Sequence, residues 1–170
     1  WQFLPTGPTN STFDDSPYMS ISAFAGSPLL ISPQLLVDDG LVTKQELKAH
    51  PSFSPYETDF KTVRRYKTET LHRAYQNFDP DSIRNYQLFL ENSKHWLEDY
   101  ALFMTLKEKY AFKGWNKWPL MRGKIGKSEL DRFYSSNIKR INYYRFEQFV
   151  FHSQWELLHN YAQQKNISLF

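Results

Sequence analysis

Four consecutive residues, Asp15-Ser16-Pro17-Tyr18, place a carboxylate, a hydroxyl and a phenol within reach of one small ligand. Groups of these types can hydrogen-bond several hydroxyls at once, while the phenol ring offers an apolar face on which a pyranose can lie. The chemistry they supply is recognition and positioning. Asp14 and Asp15 are neighbours, so in an extended loop they point apart and cannot provide two facing carboxyls for acid and base work. The plainer reading of the same stretch is an Asx-type turn around a buried Tyr.

The elements that must hold this group can be read outward from it. Residues 1–4 form a short apolar run closed by Pro5-Thr6-Gly7-Pro8, the length and punctuation of a buried strand followed by a tight loop. The loop runs on to Gly26. Ser32 before Pro33 predicts a cap and first helical residue, with Gly40 as the stop. Thr43-Lys44-Gln45-Glu46 is a capping box that opens a second helix.

From Asp59 to Phe78, apolar residues at Phe60, Val63, Leu71, Ala74, Tyr75 and Phe78 share one stripe opposite Lys61, Arg64, Arg65 and Arg73, and Asp79-Pro80-Asp81 ends it. One helix is expected through Ile83 and Tyr86 to about Leu90. Another is expected from Asn92 or Ser93, carrying Trp96, Tyr100, Phe103 and Leu106. Lys113 to Lys127 predicts an ordered loop that must bury Trp115, Trp118, Leu120 and Met121. The longest helix starts near Ser128 or Asn137 and reaches Gln164, with Phe146, Phe149, Val150, Trp155, Leu158 and Tyr161 on its buried sides. Ile167-Ser168-Leu169-Phe170 then begins to look like a strand.

Composition narrows the classes. The 21 Lys and Arg nearly balance the 18 Asp and Glu, so no whole-molecule field demands a nucleic acid or an anionic membrane. Cysteine is absent, which removes disulfides, thiol nucleophiles and Cys-ligated zinc and fits a reducing, cytoplasmic setting. Residues 16–37 carry no charge, but Pro17, Gly26, Pro28 and Pro33 interrupt them, so no membrane span is expected. His152 and His159 share a helical face with Glu156 as the one nearby carboxylate, too little for a metal site, and no cofactor motif is present. Residue 1 is Trp, not Met, and no charged leader precedes it, which predicts an excerpt of a longer chain.

Five Trp, eleven Tyr and fourteen Phe are more rings than a helical core of this size needs, which leaves some to line a groove. Between Lys107 and Lys127, basic residues alternate with Tyr110, Phe112, Trp115 and Trp118. That pattern keeps a single-stranded nucleic-acid binder open as an alternative, although no RNA-binding module signature accompanies it. A non-catalytic glucan- or protein-binding helical module is the other alternative.

The opening Trp1-Gln2-Phe3-Leu4-Pro5-Thr6-Gly7-Pro8-Thr9, continuing to Asp15-Ser16-Pro17-Tyr18 and Ser22-Ala23-Phe24-Ala25-Gly26, resembles the start of the amylomaltases, the 4-α-glucanotransferases. Three later segments resemble the same family in order and spacing: Trp96-Leu97-Glu98-Asp99-Tyr100-Ala101-Leu102-Phe103-Met104, Trp115-Asn116-Lys117-Trp118-Pro119-Leu120, and Phe151-His152-Ser153-Gln154-Trp155. The family pattern reads Gly-Asp-Ser-Pro-Tyr-Gln where this chain has Asp14-Asp15-Ser16-Pro17-Tyr18-Met19. Met19 removes an amide that could bond a sugar. Glu98 and Asp99 are assigned to capping or ion-pair duty.

The resemblance implies an α/β fold, a fragment of a (β/α)₈ TIM barrel that is mostly helical here. Residues 1–32 would be the first barrel strand and substrate-binding loop, 33–127 a helical insertion subdomain, and 128–170 a long helix leading into the next strand. It implies α-1,4-glucan and maltooligosaccharides as substrates, bound by Tyr18 with Ser16 and Asp15 supporting, and the remainder of the barrel as partner. Two strands cannot close an eight-stranded barrel.

Phe13 stands where relatives carry a Tyr of a second glucan site, and Arg64 stands where the partner ring of that site is found. The family's chemistry is cofactor-free transfer through a glycosyl-Asp intermediate, which needs a nucleophile about 5 Å from a second carboxyl. The family's Arg-x-Asp-His-Phe motif and its later acid/base Glu do not occur in residues 1–170. No catalytic residue is therefore assigned, and this segment alone is expected to be inactive.

Overall fold

The computed structural model describes residues 1–118 and 126–170, and the expected burial of Leu120 and Met121 lies outside them. Among the described residues six helices follow the opening loop: α1 (Pro33–Asp38), α2 (Lys44–Lys48), α3 (Phe60–Gln76), α4 (Arg84–Lys109), α5 (Lys127–Ser136) and α6 (Ile138–Gln164). Three single 3₁₀ turns, Ser11–Phe13, Pro28–Leu30 and Trp115–Lys117, punctuate the connections.

The local signals act where they stand. The Ser32 hydroxyl accepts from the Leu35 amide to cap α1, and Gly40 takes φ +72°, a conformation that favours glycine. Thr43 and Glu46 close the capping box reciprocally, through Thr43 N–H to Glu46 Oε2 at 2.8 Å and Glu46 N–H to Thr43 Oγ1 at 3.2 Å. Asp59 caps α3 through the Thr62 amide.

One helix boundary differs from expectation, and another falls on the second of the two starts offered. α4 is one helix, continuous through Asn92 and Ser93. Those residues are polar but neither is Gly or Pro, and Phe89, Ser93, Leu97, Tyr100 and Ala101 are buried along the same helix. Packing against α6, the most extensive pairing among the described elements, overrides a local capping signal. Before α6 lies a separate helix, α5, with the break at Asn137, whose side-chain amide donates to the Phe133 carbonyl at 2.8 Å.

α6 runs through the middle of the assembly, burying Ile141, Tyr143, Tyr144, Phe146, Glu147, Gln148 and Val150. Its last turns emerge: Leu158 and Tyr161, expected to be buried, are exposed. Ile31, Leu36, Leu71, Ala74, Phe78, Ala101, Ile141 and Phe146 share one core, so the opening segment packs with the helices that follow it. A satellite cluster gathers Leu106, Trp118 and Phe133.

Among the described residues no strand element forms, against the two expected. The ends nevertheless lie side by side. The Phe170 amide donates to the Trp1 carbonyl at 3.1 Å, and the Phe3 amide donates to the Phe170 carbonyl at 3.1 Å. One residue bonded to both i−1 and i+1 of a neighbour is the exchange made by a parallel strand pair.

Candidate functional site

The loop from Pro5 to Gly26 is tied at its base by the Ser27 amide donating to the Thr6 carbonyl at 2.7 Å. Its return end is gripped by α6. Gly26 N–H donates to Gln148 Oε1 at 2.8 Å, and Gln148 Nε2 donates back to the Gly26 carbonyl at 3.0 Å. Gln154 repeats the arrangement on Ser32, at 2.7 and 3.2 Å. Both side-chain amides satisfy backbone groups that would otherwise be left unpaired away from water. Glycine is required at position 26, because a Cβ there would lie 2.0 Å from the Phe151 ring.

Within the loop, Asn10 Oδ1 accepts from the Thr12 amide, and Asp14 and Asp15 follow in the left-handed region with φ of 50° and 54°. Such a pair reverses the chain sharply, and Asp is among the few non-glycine residues that tolerate it. The two carboxyls part company, with Asp14 exposed and Asp15 buried. Asp15 Oδ1 accepts from the Thr9 hydroxyl at 2.7 Å and is ion-paired with Arg64 from α3. Arg64 holds the loop by the Asp15 carboxylate.

Ser16 and Met19 then close a turn around Pro17 and Tyr18, with the Met19 amide donating to the Ser16 carbonyl at 3.1 Å. Proline at the second position presets that turn. Ser16 is half-buried, and Tyr18 projects with 71% of its surface exposed. The buried-Tyr reading of this stretch does not hold.

Tyr18 stands on the wall of a cleft of about 620 Å³ lined also by Phe3, Thr6, Ser20, Ser22 and Phe24. None of the lining side chains is charged. Phe24 stacks on Trp96 of α4 with ring centroids 6.2 Å apart and planes at 18°. Phe13 is exposed on the loop's outer turn, away from this cleft. Asp15 lies behind Tyr18 and holds the turn from inside.

Elsewhere the sequence candidates resolve into structure. Trp118 is buried, and its indole N–H donates to the Lys113 carbonyl at 2.9 Å, so it anchors its loop; Trp115 stays exposed. Glu98 pairs with Arg145 and accepts from Tyr134, the ion-pair duty expected of it. His152 has Glu156, at 3.3 Å, as its charged partner and packs on the Phe89 ring, and no group of three metal-ligating side chains occurs among the described residues. No helix there is long and apolar enough to cross a membrane. Gln148 and Arg64 carried no sequence signal for their roles, because both act on residues far away in the chain.

Residues 1–170 match the profile of the family described as 4-alpha-glucanotransferase. The chain belongs to that family. It is 37% identical over 171 residues to the 4-alpha-glucanotransferase of Clostridium butyricum, an alignment covering 99% of this chain and 34% of the relative. The 4-alpha-glucanotransferase of Thermus thermophilus is 35% identical, over 99% of this chain and 33% of its own length. Among solved structures, the amylomaltase from Streptococcus agalactiae in complex with acarbose superposes with a TM-score of 0.90 at 30% identity, covering 99% of this chain and 34% of that one. The chain thus spans about a third of the family members it matches.

Proposed function

We propose that this chain is the amino-terminal part of an enzyme that transfers α-1,4-glucan segments between maltooligosaccharides, and that its loop contributes a sugar-binding wall. The observation that carries the reading is the exposed Tyr18 ring on a cleft without charged lining. A neutral polyhydroxylated ligand gains from an apolar ring and hydroxyl partners, and a charged wall would waste desolvation energy on it. The acarbose bound by the related amylomaltase supports a maltooligosaccharide as the ligand. Tyr18 binds sugar directly, and Ser16 and Asp15 fix the turn that aims it. Phe13 offers one ring to a second glucan contact.

In this reading residues 1–32 are the first barrel strand and its loop, 33–127 the helical insertion, and 128–170 the way into the next strand. The catalytic carboxylates belong to the remaining two thirds of the family's length, and no cofactor takes part. The rest of the barrel covers an apolar cleft of about 630 Å³ lined by Trp1, Phe3, Leu4, Leu30, Trp155 and Leu158. Absent cysteine fits a cytoplasmic enzyme.

Positioning donor and acceptor in line supplies much of such a rate. Replacing Tyr18 by Ala in the full-length enzyme is expected to lower maltotriose disproportionation by about tenfold or more, roughly the 1.4 kcal/mol that corresponds to one decade. Unchanged turnover would remove the loop from the substrate site.

A further inference from the structure

A further cavity, of about 540 Å³, lies on the other side of the loop, between residues 8–12, α3, α4 and α6. Its lining has a different chemistry. α3 contributes Arg64, Lys67 and His72; α4 contributes Tyr100, Lys107 and Glu108; α6 contributes Arg140, Tyr143, Tyr144 and Glu147; and the loop adds Thr9, Asn10 and Thr12.

The charges there do not cancel. Arg64 is taken by Asp15, and Arg140 by Glu108, which also accepts from Tyr144 at 3.2 Å. Lys67 and Lys107 face no carboxylate within ion-pair distance among the described residues, and residues 119–125 contain no Asp or Glu. The Lys67 ammonium donates to the Ile31 carbonyl, a neutral acceptor. Burial pulls the Lys67 ammonium down to about 8 and lowers Lys107, the signature of cations lacking a counter-ion.

Donors also outnumber acceptors. Tyr100 is 94% buried and is one of the cavity's lining residues, and its hydroxyl, almost without accessible surface, has no hydrogen-bond partner among the described residues. A buried donor left without an acceptor is unfavourable, and an acceptor oxygen brought to it would relieve that cost. Glu147, 5% exposed, is raised by burial to about 7 and so is largely a neutral acid only below that pH, where it adds a further donor. Burial and the neighbouring Arg140 lower His72, which leaves it uncharged.

We propose that this cavity binds a phosphate-class oxyanion, free or carried on a sugar, through Lys67, Lys107 and the Tyr100 hydroxyl. Two ammonium groups without a carboxylate partner, Lys67 on the Ile31 carbonyl and Lys107 6.0 Å from the centre of the Phe103 ring, join an orphaned phenol and the loop hydroxyls, a set of donors that suits an ion with acceptor oxygens all round. The volume admits a hexose phosphate as well as the bare ion. A neutral glucan would leave both lysines uncompensated. The site is independent of Tyr18, which faces the opposite cleft.

The test is calorimetric titration of the full-length protein at pH 6.5 with inorganic phosphate, hexose 6-phosphate and maltose. Saturable binding of either phosphate is expected, and the tighter of the two identifies the source. Tyr100→Phe, which removes one oxygen and keeps the packing, is expected to weaken that binding at least tenfold, and Lys67→Gln likewise. No phosphate binding at millimolar concentration would overturn the assignment, as would affinities unchanged in both variants. Maltose binding that is lost in Lys67→Gln without any phosphate binding would reassign the cavity to sugar. None of these readouts depends on transfer activity, so they fail separately from the Tyr18 prediction.

Discussion

Glu147 and Gln148 are consecutive on α6 and both buried, yet they serve opposite sides of one loop. Gln148 brackets Gly26 and holds the wall of the cleft where Tyr18 stands, a wall of rings, hydroxyls and backbone. Glu147 faces the inner cavity, among lysines, arginines and phenols. The two spaces have similar volumes, about 620 and 540 Å³, so size does not distinguish what each receives. Charge does. A neutral wall suits a neutral polyol, whereas a surplus of desolvated cations calls for an anion.

The sharpest way to break that contrast is at Gln148. Replacing it by Leu keeps the volume but strips both partners from the buried Gly26 N–H and carbonyl, at about 1–3 kcal/mol for each group. A loss on the order of 4 kcal/mol is expected in chemical denaturation of the full-length protein. In any folded fraction, transfer activity should fall while phosphate affinity at the inner cavity persists. Equal loss of both would show that the loop is one unit with no independent sides.

The second test separates the two residues by pH. The Glu147 carboxyl, raised from 4.5 to about 7 by burial and opposed only in part by the Tyr143 hydroxyl 3.4 Å away, holds its proton more tightly folded than unfolded. Its contribution to stability is therefore fully present below about pH 4.5 and is lost as the pH rises through about 7. A span of that width corresponds to about 3 kcal/mol. Glu147→Gln should match the parent protein at pH 4.5 and exceed its stability at pH 8 by up to that amount. The Gln148 variant should show no such pH dependence of its effect. A Glu147→Gln variant that is less stable at pH 8 would mean that the carboxylate is charged and paired.

How much of this was readable in the chain depends on how local the cause is. Thr43 and Glu46, Ser32 and Pro33, Gly40 and Asp59 act within a turn of themselves, and each does what its spacing predicts. The Asn92-Ser93 boundary failed because a capping propensity worth about 1 kcal/mol competes with a whole face of α4 buried on α6. Leu158 and Tyr161 read as core because apolar periodicity reports a face that must be covered and does not say by what. The Asp15-Ser16-Pro17-Tyr18 stretch was read as a loop that offers a phenol, and the alternative of an Asx-type turn around a buried Tyr missed that the ring projects outward. The inner cavity was not legible, since Lys67, Tyr100, Lys107 and Glu147 come together only when three helices pack.

The smallest expected effect bears on the seam between the two regions. Arg64 lines the inner cavity, while its ion pair with Asp15 fixes the turn that carries Tyr18 outward. The arginine side chain is 36% exposed and the carboxylate 5%, so solvent screens one partner and not the other. Arg64→Ala leaves Asp15 with the Thr9 hydroxyl as its remaining side-chain partner among the described residues. Solvent reaching the vacated space limits the cost to about 1 kcal/mol in stability. The functional signature is a rise in KM for maltotriose of about threefold with kcat less affected, because the turn is loosened while the ring and the chemistry remain. A fall in kcat with KM unchanged would instead mean that Asp15 and Arg64 act at the reacting bond, and the division between a neutral outer wall and a charged interior would then have to be redrawn with Asp15 on the substrate side.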